Sequence, residues 1–141
     1  MTKKELDEMI SNLELYIENW KQFYNFINLV RERRASTDKK PFSIEEENQF
    51  LDVKSLIIQQ LESILAYFPA ESPPINREEV YNVVTPVSSL RSMMEISDGS
   101  LRGIETQWHK LFIDLQSLLG QAKIERQKME SKSIFGFLFR K

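Results

Sequence analysis

Two stretches of this chain carry apolar residues at the same seven-residue spacing, and that spacing calls for helices that pack along their length. Near the start, Leu6, Leu13, Trp20 and Ile27 lie seven apart, as do Met9, Tyr16, Phe23 and Val30. Further on, Leu101, Trp108, Leu115 and Ala122 repeat with the same period, accompanied by Ile104, Leu111 and Leu118. An α-helix turns once in about 3.6 residues, so a period of seven returns to one face every second turn. Ile10, Ile17 and Tyr24 widen the first stripe, and Phe112 and Leu119 widen the second. That breadth suits a helix in a bundle rather than the narrow seam of a two-stranded coil.

Start and stop signals divide the chain into four predicted helices, over about 2–34, 43–68, 76–97 and 100–130. Thr2 with Glu5, and Ser43 with Glu46, have the spacing of capping boxes. Asn76 with Glu79 opens the third helix, where Ile75 and Val80 are placed as a hydrophobic staple. The second helix presents Phe50, Ile57, Leu61, Ile64 and Phe68, and Pro69 ends it. In the third, Val80, Val87 and Met94 keep heptad phase across Pro86, which predicts one helix kinked at the proline. The alternative is a break at Thr85, with Thr85 capping a new helix that has Pro86 at its first position. Ser97-Asp98-Gly99-Ser100 reads as a tight turn. Short connections make neighbours antiparallel, so the expected fold is all-α: an up-down-up-down antiparallel four-helix bundle over 1–131, with a short apolar-basic tail over 132–141.

Composition closes off several kinds of chemistry. There is no cysteine, which removes disulfides, thiol catalysis and zinc–cysteine sites. The first residues lack the apolar core of a signal peptide, and no apolar run reaches the ~18 residues that span a bilayer, so a cytoplasmic protein is expected. His109 is the single histidine, it has no Glu three residues before it, and by heptad phase it falls off the core stripe. No metal site, no cofactor and no enzyme activity are expected. Trp20 and Trp108 hold equivalent heptad positions, and core packing is the reading we prefer over an aromatic ligand cage. Arg31, Arg33, Arg34, Lys39 and Lys40 surround the first loop, but Glu32, Asp38 and Glu45–Glu47 dilute their field. We read them as a solvated helix end, which argues against a nucleic-acid partner.

Some apolar residues lie off the stripes: Leu15, Phe26 and Leu29 on the first helix, Leu56 on the second and Ile113 on the fourth. Phe26 and Leu29, beside Phe23 and Tyr24, nearly encircle their helix. They are the expected self-association residues of a homodimer.

The last ten residues concentrate apolar and basic side chains. Ile134, Phe135, Phe137, Leu138 and Phe139 stand beside Arg140 and Lys141, and residues 123–141 carry a net charge of +4 while the whole chain carries −2. Burying each large apolar side chain is worth about 1.5–3 kcal/mol, so a cover is expected. These seven residues are the expected partner-binding site. The run Ser131-Lys132-Ser133-Ile134-Phe135-Gly136-Phe137-Leu138 is similar to the peptides with which archaeal and eukaryotic proteins bind the replication sliding clamp. Ile134, Phe137 and Leu138 match that pattern, and Ser131 stands where those peptides usually carry Gln. The run is also similar to the short apolar peptides that load cargo into bacterial protein shells. These resemblances imply a protein partner. A membrane surface, met by the phenylalanines and the flanking cations, is the other candidate, and packing against the chain's own bundle is the third. The function expected is that of a non-enzymatic adaptor or assembly protein.

Overall fold

A computed structural model describes the backbone of residues 1–138 and the side-chain environments of residues 1–132. The chain is all-α, with five helices among the described residues: α1 (Lys3–Ala35), α2 (Ile44–Leu65), α3 (Arg77–Val84), α4 (Leu90–Glu95) and α5 (Asp98–Leu138). The caps form where polar side chains allow them. Thr2 Oγ1 accepts the Glu5 amide at 3.1 Å. Ser43 and Glu46 exchange both bonds of a capping box, at 3.0 and 2.9 Å. Asn76 Oδ1 accepts the amides of Glu78 and Glu79.

The predicted third helix is two. Pro86 has no amide hydrogen to give the helix ladder, and inside a helix its ring would clash with the carbonyl four residues before it. The chain therefore leaves α3 at Val84 and re-enters helix only at Leu90. Thr85 does not open the new helix. It closes the old one, its hydroxyl donating to the Tyr81 carbonyl at 2.6 Å. Ser89 and Ser92 cap α4 with a reciprocal box. Side chains of α2 hold the break in place. A Glu47 carboxylate oxygen accepts the Leu90 amide at 2.6 Å, and the Lys54 ammonium donates to the Val87 carbonyl.

Two other boundaries move for local reasons. α2 ends at Leu65, short of Phe68, because Pro69 restricts the residue before it. The expected turn at Ser97–Ser100 is already helix. Ser97 Oγ accepts the Ser100 amide at 3.1 Å, which makes Ser97 a cap and starts α5 at Asp98.

Most of the stripe residues read from the sequence form the core, with Phe68, Met94 and Leu118 half-buried at its margin. Both heptad rows of α1 are buried, as are Phe50, Ile57, Leu61 and Ile64 of α2. Val80, Val83, Val87 and Met93 of the segment that spans α3 and α4 are buried too, and Leu101, Ile104, Trp108, Leu111, Leu115 and Ala122 line α5. Cross-links fix how the helices meet. Asn12 donates to the Tyr67 hydroxyl just past α2, Asn19 to Gln60, and Arg33 to Glu46. Asp7 pairs with Arg126, the Trp20 carbonyl with Trp108 and Arg34 with Asp98, which ties α5 to α1 at three places.

Candidate functional site

α5 is the longest element, and its length creates the candidate site. It has 41 residues, or about 60 Å at 1.5 Å per residue. α1 begins at Lys3 because Thr2 is extended and caps it. Arg126 reaches Asp7 at 2.6 Å, and Lys3 reaches Glu130 at 3.7 Å. Glu130 is thus level with the first turn of α1, and α5 continues to Leu138. The last eight residues of α5 add two turns, about 12 Å of helix, beyond that level.

Of the predicted partner-binding residues, Ile134, Phe135, Phe137 and Leu138 belong to this helical extension, so α5 runs past the expected end near 130. Phe139, Arg140 and Lys141 lie outside the described residues. Helical geometry alters what the tail pattern means. Positions 134, 137 and 138 are spaced i, i+3, i+4, the spacing of neighbours on one helical face. The four apolar positions 134, 135, 137 and 138 take up about 160° of the helix circumference, leaving 132, 133 and 136 to the remainder. The extension therefore has the pattern of an amphipathic helix end.

That pattern continues features of the described part of α5. Ile113 is 64% exposed and Ile124 is 52% exposed, directly opposite the core stripe. Positions 113, 120, 124, 131, 134 and 138 fall within a sector of about 80°. Gly120 lies in that sector, and a methyl group added there would meet nothing within 4 Å.

The remaining candidates take structural places. Trp20 and Trp108 are buried core residues with ring centroids 6.4 Å apart. His109 is exposed and lies edge-on to Trp108, with Tyr24 close by. Among the described residues no group of three or more His, Asp or Glu is arranged to hold a metal ion. No described helix is long and apolar enough to cross a membrane.

Phe26 and Leu29 are half-buried. The Phe26 ring stands edge-on to Phe50 at 5.4 Å, so the fold itself covers part of it. Leu15, at 59% exposed, and Ile113 keep the open apolar surface that the off-stripe pattern implied.

The basic cluster is more than a solvated end. Arg33 donates to the carbonyls of Lys40 and Pro41 and to Glu46, and its guanidinium sits 4.6 Å over the Phe42 ring. It ties the first loop to both flanking helices. Arg34 donates to Asp98 at 2.6 Å and to the Met93 carbonyl at 3.3 Å, and Arg31 pairs with Glu105. The residue that sequence reasoning missed here is Arg102, which joins Arg31, Arg34 and Lys39 around one groove. The only signal for it was indirect: α5 must start beside the end of α1 before Arg102 can face that loop.

No protein-family model, curated protein or solved structure matches this chain.

Proposed function

We propose that this protein is a non-enzymatic adaptor or assembly component whose α5 extension docks as an amphipathic helix in an apolar groove of a protein partner. In this reading α3 and α4 together fill one position of an antiparallel, up-down-up-down four-helix bundle. That bundle is the rigid support, and Ile134, Phe135, Phe137 and Leu138 are the anchors. The supporting observation is the two turns of α5 beyond the Lys3–Glu130 pair. Helix-in-groove recognition uses anchors at i, i+3 and i+4, which positions 134, 137 and 138 supply. Sliding-clamp and shell proteins are the partner classes implied by the resemblances of the tail. Self-association through the outer apolar residues of α1 and α5 would present two extensions at once and raise avidity.

A photoreactive residue placed at Lys132 in the full chain tests this reading in the native cell. Docking predicts a cross-link to a discrete second protein, lost on Phe137→Glu with Leu138→Glu. Cross-links confined to lipid would favour the membrane reading instead. Cross-links confined to residues 1–131 of the same chain would assign the tail to its own bundle.

A further inference from the structure

Where α1 ends and α5 begins, a groove of about 750 Å³ is lined by Arg31, Arg34, Lys39, Met94, Asp98 and Arg102. Four cations meet there from three parts of the sequence. Arg34 is fixed by Asp98 and the Met93 carbonyl, and Arg31 by Glu105. Those bonds orient the two guanidinium groups and consume two charges. Lys39 and Arg102 make no ion pair among the described residues. Counting both Asp98 and Glu105 against the four cations, the groove keeps a net charge of +2 in a chain of net charge −2.

We propose that this groove binds a small-molecule phosphate monoester, with Arg102 and Lys39 as the free cations and Arg31 and Arg34 as pre-oriented donors. The charge identifies the head of the ligand. A phosphate monoester carries about −1.5 to −2 at neutral pH, which matches the groove's surplus. Guanidinium groups offer planar paired donors that suit phosphoryl oxygens, and a lysine adds a mobile point charge. The volume identifies the rest. The groove is far larger than a bare phosphate ion needs, and Ala35, Met94 and Leu101 give it apolar wall for an organic body. The groove lies at the opposite end of α5 from the extension, about 44 Å from where the extension begins. A membrane or partner held by the extension is therefore out of its reach, which favours a soluble ligand over a lipid headgroup.

The test is an amide-resolved NMR titration of the full chain with phenyl phosphate, inorganic phosphate and vesicles containing phosphatidylinositol phosphate. The expected result is saturable shifts at Lys39, Arg102 and Gly103 with phenyl phosphate, at concentrations at least about tenfold below those needed for inorganic phosphate. Lys39→Gln with Arg102→Gln should weaken phenyl phosphate at least about tenfold, since two charge-assisted bonds are lost. Neither residue carries a structural ion pair, so the melting temperature should stay the same. Absence of saturable shifts up to about 10 mM, tenfold above the concentration that corresponds to about −4.1 kcal/mol of binding, overturns the proposal. So does undiminished binding by the double variant, or binding of vesicles alone.

Discussion

The Trp108 indole nitrogen donates to the Trp20 carbonyl at 2.8 Å inside the core, joining the two heptad stripes at their widest residues. Tyr24 and Phe112 both stack with the Trp108 ring, at centroid distances of 4.5 and 4.7 Å. Trp108→Phe keeps an aromatic ring but loses the donor. It should cost about 1–2 kcal/mol in denaturant unfolding. Trp108→Ala should cost about 3–5 kcal/mol. An unchanged midpoint for either variant contradicts this account of the seam.

One turn along α1, the Tyr16 hydroxyl is buried without a well-formed hydrogen bond. Burial pushes its pKa above the ordinary tyrosine value, and the nearby Trp20 indole opposes that shift only in part. Tyr16→Phe removes a desolvated hydroxyl at nearly constant shape, so stability should be unchanged or higher. A loss greater than about 1 kcal/mol would mean that the hydroxyl has a strong partner after all.

Acid should loosen the first loop. The Ser43 amide holds the Glu46 carboxyl below its ordinary value near 4.5, and Arg33 adds to that against slight burial. A carboxyl with a depressed folded pKa stabilises above its unfolded value, and that stability is lost as pH falls through the folded value. Glu62, lowered by Arg77, and Glu130, lowered by Arg126, act with the same sign. Thermal melts should therefore be flat near neutrality and fall below pH 4.5. Glu46→Gln should remove part of that fall. A variant whose acid profile matches the parent's excludes Glu46 as a contributor.

Gly103 and Gly120 lie in the interior of α5 with nothing within 4 Å of an added methyl group. Glycine there costs backbone entropy relative to alanine. Each Gly→Ala change should raise stability by about 0.5–1 kcal/mol. If a partner lies closely over the outer face of α5, Gly120→Ala should weaken that association while Gly103→Ala does not.

Self-association is best tested away from Phe26, because Phe26→Glu also removes the edge-on packing against Phe50. Leu15→Glu with Ile113→Glu changes exposed residues alone. Sedimentation equilibrium at micromolar concentration should show a dimer for the parent and a 16.7 kDa monomer for the double variant. A monomeric parent refutes the dimer.

The helices and their core were legible because burial follows periodicity. Every residue of both heptad rows of α1 is buried, including Leu6 and Val30 at the two ends. Pro86 misled because heptad phase and helix continuity are separate properties. Val80 of α3 and Val87 in the gap both turn inward with Glu47 and Lys54 supporting the gap, but the row then slips, so that Met93 is buried and the expected Met94 only half-buried, and no local pattern announces those side chains from α2. The Ser97 cap was read as a turn for a related reason. Ser-Asp-Gly-Ser suits either a turn or a helix start, and the choice depends on how closely α4 and α5 are joined. The groove around Arg102 could not be read at all, since it unites residues more than sixty positions apart. In the tail, the apolar spacing was visible but its helical meaning was not, because one face of a helix and a peptide motif share the same intervals.

The central claim is that the α5 extension is held for a partner rather than for the protein's own core. Thermal unfolding of the chain cut after Ser131, beside the full chain, tests it most directly. The account predicts melting temperatures within about 2 °C of each other, because an extension held for a partner adds nothing to the stability of its own fold. A fall of more than about 5 °C would show that the extension stabilises its own fold, and would contradict the account.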